Sequence, residues 1–316
     1  MKQDAPLIKV ENLSVRFDLG GGLFSRKKGE VKAVDDVSFE IGKGEILGLV
    51  GESGSGKTTT GRAIIRLAPV ASGKIFFDKT ELTGLSNRRF MPYRKKIQMI
   101  FQDPFNSLDP KMTVGETIAE PLDIHFSLSK KEREIRIKSL LERVGLNPDF
   151  ASRYPHEFSG GQRQRIGIAR VLVMHPELII ADEPISALDV SIRAQVLNLL
   201  SDLQKEYGLT YLFIAHDLSI MRFITNRLAV IHKGRIVELS ETEKLFAHPL
   251  HPYTKSLLSA IPQPDPLSEK GKKTLPYDPA CHDYSVDKPE WLELEDGHFV
   301  LANNKEAEQY RKELAN

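Results

Sequence analysis

The stretch EILGLVGESGSGKT, residues 45–58, decides the fold. Its first half, EILGLVG at 45–51, is a short apolar strand of the buried kind that ends in glycines, and the spacing beyond it predicts a helix over about 57–67. GESGSGKT at 51–58 fits G-x-x-x-x-G-K-[ST] in the strand-to-helix setting that the motif's mechanics require. Glycines let backbone N–H groups turn inward on phosphate oxygens, a lysine reaches the outer phosphates, and the hydroxyl after it binds Mg²⁺. Gly51, Glu52, Ser53, Gly54, Ser55, Gly56, Lys57, Thr58 and Thr59 are therefore the candidate phosphate ligands. From average residue frequencies a chance match in a chain this long is on the order of 1%, so a bare glycine-rich turn is a poor account of the stretch.

A second element lies at LIIADE, 178–183. An apolar strand that ends in two carboxylates gains nothing structural from them. Beside a phosphate loop, Asp182 is expected to hold Mg²⁺ directly or through water, and Glu183 to polarise an attacking water. A third is FSGGQRQR at 158–165, where Ile166, Ala169, Leu172 and Val173 put an apolar stripe on the helix that follows. Ser159 with Gly160 and Gly161 presents backbone N–H groups at a helix start, where the macrodipole favours an anion.

Strand and helix patterns alternate from 171 onward (ELIIAD, a helix near 191–206, LTYLFIAH, RLAVIHKGRIVEL), which argues an α/β fold with a mostly parallel sheet. Residues 7–17 and 31–50 read as strands around a Gly- and Lys-rich loop at 20–30. Between about 103 and 158 the character changes. Pro104, Pro110 and Pro121 interrupt the chain, and Ser129 with Glu132 makes a capping box before a charged helix whose buried stripe is Ile137, Leu140, Leu141 and Val144. That region reads as a helical insertion. Beyond about 262, prolines at 262, 264, 266, 276, 279 and 289 lead to the expectation of a loosely structured extension, 263–316, with one terminal helix at about 304–314.

Composition excludes more than it assigns. A 41% hydrophobic, 28% charged chain of 316 residues suits a globular protein, and a net charge of +1 offers nucleic acid no basic footprint. The single cysteine, Cys281, rules out an intrachain disulfide and a cysteine cage. No run approaches the roughly 20 apolar residues of a membrane span, and the first residues lack a signal peptide's apolar core.

GESGSGKT, the glutamine of IFQDP (Gln102), FSGGQ, LIIADEP, SALD at 186–189 and FIAHD with His216 occur in that order. Together they resemble the nucleotide-binding subunit of an ABC transporter over roughly residues 7–262. The resemblance implies a P-loop NTPase fold: a RecA-like core sheet, an antiparallel β subdomain, the helical insertion and the C-terminal extension. It implies ATP and Mg²⁺ as ligands and head-to-tail pairing with a homologous ATPase subunit, so that Ser159, Gly160, Gly161 and Gln162 cap the γ-phosphate held by the partner's loop. Gln102 is similar to the glutamine that senses γ-phosphate and Mg²⁺, His216 to the histidine that positions the attacking water, and Asp189 to an aspartate at the dimer seam. Phe17, with Val34 nearby, is the candidate for stacking on adenine, though core packing accounts for a strand phenylalanine equally well. Phe158 stands where the family more often has leucine.

HPLHPYTKSLLSAIPQPDP at 248–266 and QDPFNSLDPKMTVGETIAEPL at 102–122 resemble the oligopeptide/dipeptide branch of importers. That branch implies an ATPase on the cytoplasmic face of the membrane, a heterodimer with a second ATPase subunit, two transmembrane permeases and, indirectly, an extracellular peptide-binding protein. One cysteine cannot ligate the iron–sulfur cluster that some relatives carry. A soluble ABC ATPase acting on DNA or ribosomes shares the same motifs, a nickel-chelate importer shares the same face, and a P-loop kinase or GTPase would not need the SGGQ helix.

Overall fold

A computed structural model describes residues 5–18, 29–103, 107–262 and 274–315. In chain order the elements are β1 (Ile8–Asp18), β2 (Glu30–Ile41), β3 (Ile46–Val50), α1 (Lys57–Ile64), β4 (Ser72–Phe77), β5 (Thr80–Glu81), α2 (Asn87–Lys96) and β6 (Ile97–Ile100). Then come α3 (Val114–His125), α4 (Lys130–Arg143), α5 (Gly160–Leu172), β7 (Leu178–Asp182), α6 (Val190–Tyr207), β8 (Thr210–Ala215), α7 (Leu218–Ile224), β9 (Arg227–His232) and β10 (Arg235–Glu241). The chain closes with α8 (Thr242–Ala247), α9 (Pro252–Ser259), β11 (Glu290–Glu295), β12 (His298–Ala302) and α10 (Asn304–Leu314). No helix among the described residues is long and apolar enough to cross a membrane. Of the loop expected at 20–30 only Gly29 and Glu30 fall within the described residues, and Pro104, Pro264 and Pro266 fall outside them.

Two compact units emerge. The first holds residues up to 8, 41–45 and 76–214. In it β6, β7 and β8 run parallel, with Ile97 opposite Leu178 and Leu178 opposite Thr210. Every residue of LIIAD is buried, the near-continuous apolar run of a strand covered on both faces. Helices α3, α4, α5 and α6 pack beside one another. Ser159 and Gln162 close a capping box on α5, as Ser129 and Glu132 do on α4. Pro121 departs from the reading of a chain breaker, because it sits inside α3. A proline within a helix costs about 3 kcal/mol. Here the buried Val114, Ile118, Ala119 and Leu122 and the Thr113–Glu116 capping box offset it.

The second unit holds 9–40, 46–75 and 215 to the C-terminal end. Its sheet runs β11-β12-β10-β9-β3, with β3 parallel to β9 and antiparallel pairing through β10, β12 and β11. β2, β1 and β4 lie side by side in a further sheet. Helix α1 stops at Ile64, short of the expected 67, where Arg66 turns left-handed at φ 60°.

The expected loose extension is corrected by the structure. Residues 290–302 form a hairpin that extends the sheet beyond β10, with Glu238 opposite Val300. Leu250, Val300, Ala302, Ala307 and Tyr310 make a small core under α10. The prolines lie around this hairpin and helix, not within them.

Candidate active site

The phosphate loop connects β3 to α1 in the second unit. Three glycines shape it by necessity. Gly54 and Gly56 take φ of 78° and 105°, which side chains rarely adopt. A Cβ on Gly51 would lie 2.1 Å from the Ile231 carbonyl oxygen, and one on Gly56 would lie 2.4 Å from that of Ala33. Lys57 is buried, and its ammonium donates to the Gly51 and Glu52 carbonyls at 2.8 Å each. The Ser55 hydroxyl is buried without a hydrogen-bond partner among the described residues. Glu52 and Ser53 are exposed, Thr58 and Thr59 half-buried, and no acidic side chain occupies the first turn of α1. Positive charge, a helix start without a side-chain cap and an unsatisfied hydroxyl suit a polyphosphate.

In the first unit β7 delivers Asp182, 1% exposed, and then Glu183. Glu183 is left-handed at φ 45°, a conformation that costs an ordinary residue about 1–2 kcal/mol. Its N–H donates to the Ile214 carbonyl at 2.9 Å, and its carbonyl accepts from Ser186 N–H at 3.2 Å, so the turn is held on both sides. Strain of this kind collects where a side chain must be aimed. The aimed group is the carboxylate, which accepts from the Gln102 side-chain amide at 3.0 Å. The fold thus joins two expected residues that lie far apart along the chain.

At the SGGQ segment the Ser159 hydroxyl accepts from Gln162 N–H at 3.4 Å, and the Gln162 side-chain oxygen accepts from Ser159 N–H at 3.0 Å. Gly161 faces α6, where a Cβ would come within 2.4 Å of an Ile192 methyl. Gly160 is half-buried and Ser159 exposed. Asp189 is the exposed N-cap residue of α6, its side chain free of any capping bond. His216 is exposed directly after β8. Phe17, near the end of β1, is 41% exposed, which removes core packing as its explanation, whereas Val34 is fully buried and is core. Among the described residues no cluster of three or more His, Cys, Asp or Glu side chains could hold a metal by itself. A small set suits Mg²⁺, which needs only one or two carboxylates and leaves most positions to phosphate and water.

The motif reading missed Tyr253. Its hydroxyl accepts from Glu52 N–H at 3.1 Å, at the start of the phosphate loop. The signal is HPYTKSLL, whose His-Pro step starts α9 and places the tyrosine in its first turn.

Residues 34–186 match the family model described as ABC transporter, and 237–285 match one described as the C-terminal region of oligopeptide/dipeptide transporters. The chain is 57% identical over 286 residues to a Bacillus subtilis protein named oligopeptide transport ATP-binding protein OppF, covering 90% of this chain and 94% of that one. The chain belongs to the ABC transporter family. A second ABC relative, the dipeptide transport ATP-binding protein DppF of Lactococcus lactis, is 49% identical over 315 residues, 99% of each chain. An ATP-binding cassette solved as a dimer in a post-hydrolysis state with ADP and Pi aligns at TM-score 0.66 and 29% identity, over 74% of this chain and 98% of that one. As an ABC ATP-binding protein, the chain hydrolyses ATP.

Proposed function

We propose that this chain powers import of oligopeptides or dipeptides by hydrolysing ATP on the cytoplasmic face of a membrane. The observation that carries the reading is the presence, in one chain, of the phosphate loop with its buried lysine and a C-terminal region matching the oligopeptide/dipeptide transporter model. Residues 1–262 would carry the ATPase, and 263–316 the branch-specific extension.

Each residue has a role that its chemistry suits. Lys57 exchanges its carbonyl partners for β- and γ-phosphate oxygens, and the amides of Gly54 to Thr59 cradle the remaining phosphates. Phe17 stacks on adenine. Glu183 takes the proton of the attacking water, with Gln102 fixing its carboxylate and His216 orienting the water. Thr58, Gln102 and Asp182 would hold Mg²⁺, which would neutralise phosphate charge. Ser159, Gly160, Gly161 and Gln162 close on the γ-phosphate bound by a homologous ATPase subunit, and Asp189 links the two sites. ATP must favour the closed pair over the open one, since equal affinity would shift nothing. That closure would be passed on to two permease subunits fed by an extracellular peptide-binding protein.

The test uses tagged Glu183→Gln in detergent-solubilised membranes with Mg-ATP. Recovery of a second ATPase and two permeases, with turnover reduced at least about 100-fold, is the expected result. Recovery of ribosomal or DNA-repair proteins and no membrane protein would overturn it. A Lys57→Ala chain should bind ATP at least about tenfold more weakly, a loss of 1.4 kcal/mol or more.

A further inference from the structure

The Gly51–Glu52 peptide group is gripped from both sides. Its carbonyl accepts from the Lys57 ammonium at 2.8 Å, and its N–H donates to the Tyr253 hydroxyl at 3.1 Å. The next carbonyl, that of Glu52, accepts from Lys57 as well. Turning this one peptide over would break the tyrosine bond and remove the lysine's first resting place together.

Tyr253 is itself held in place by the C-terminal part of the chain. Its ring is 1% exposed and lies against His232, with centroids 4.2 Å apart, and edge-on to Tyr277 at 5.3 Å. Its N–H donates to Nδ1 of His251, the N-cap of α9, at 3.1 Å. Burial pushes the His251 imidazole down to about 3, so that nitrogen stays free to accept. The N–H groups of Leu250 and His251 donate to the carboxylate of Glu238 at 2.8 and 3.0 Å. Glu238 is fully buried on β10, and Nε2 of His298 on β12 lies 2.8 Å from the same carboxylate. From hairpin to phosphate loop the contacts are continuous.

We infer that Tyr253 is a positioning residue for nucleotide binding, through which the C-terminal segment holds the Gly51–Glu52 peptide, and so the lysine carbonyl site, in the orientation that receives phosphate. The inference rests on loop 51–58 being the ATP site. The bond is made by the chain's own residues, so binding need not order this peptide, and preorganisation of this sort appears as affinity. Burial raises the phenol above its usual range, so it remains a neutral hydroxyl able to accept from the amide.

The test is Tyr253→Phe in the full chain, which keeps the ring against His232 and Tyr277 and deletes only the hydroxyl. Titration with fluorescent ADP and steady-state ATPase kinetics are read beside Lys57→Ala. Dissociation constant and KM should rise about three- to tenfold, while kcat at saturating ATP changes less than about twofold. A lowered melting midpoint with unchanged affinity would reduce Tyr253 to a packing residue and overturn the inference. Loss of binding in Lys57→Ala beside wild-type binding in Tyr253→Phe would sink it while sparing the loop assignment, and normal binding in both variants would sink the loop assignment itself. Should Tyr253→Phe fail to fold, hydrogen exchange at the Glu52 amide of the nucleotide-free wild-type chain decides. Protection is expected, and exchange at the rate of an open loop would overturn the inference.

Discussion

Two helices of this protein start at glycines, and they do so for different reasons. At α1 the glycines are demanded by backbone: Gly56 is left-handed, a Cβ on Gly51 or Gly56 would run into a carbonyl oxygen, and the N-cap has no side chain to make a cap. At α5 neither glycine is left-handed, a serine–glutamine capping box already occupies two helix-start amides, and Gly161 leaves room for the Ile192 side chain. The first helix start has no side-chain cap of its own. The second spends the Ser159 and Gln162 amides on its own cap, so an anion approaching it competes with that cap for them.

Substitutions can break this contrast. Gly56→Ala should have the largest effect, on the order of 3 kcal/mol of stability, because it adds a backbone clash to a strained φ. Nucleotide titration should show the phosphate site lost with it, and no second substitution should restore it. Gly161→Ala should cost about 1–3 kcal/mol by overpacking, and Ile192→Ala in the same chain should recover part of that loss in thermal melts. Full recovery of Gly56→Ala by a neighbouring truncation, or none for Gly161→Ala, would erase the distinction. Smallest is Ser159→Ala, about 1 kcal/mol of stability from the lost cap, with ATP affinity of the chain's own loop unchanged.

Much of this was readable in the sequence because it is local. The β3–loop–α1 unit, the all-buried β7 and the capping boxes at Ser129 and Ser159 each depend on residues a few positions apart. The Gln102–Glu183 bond was not readable, since spacing along a chain does not say which strand ends meet. Nor was the Tyr253–Glu52 bond, for the same reason. The terminal hairpin did carry a signal. WLEL alternates, and Asp296-Gly297 is a hairpin turn, with Gly297 at φ 68°. The surrounding prolines drew attention from it. Pro121 misled because helix α3 is held by its buried face more firmly than one proline can undo.

The pairing of β12 with β10 also sets where the chain can be cut. Ending it at 262, inside the segment that matches the transporter C-terminal model, would bare the backbone of Glu238 and Leu239 along an apolar edge and leave the Glu238 carboxylate without its imidazole. An open edge of that kind recruits strands from other molecules. The hairpin at 290–302 therefore serves solubility as well as architecture, and a minimal ATPase fragment made by trimming it is expected to aggregate.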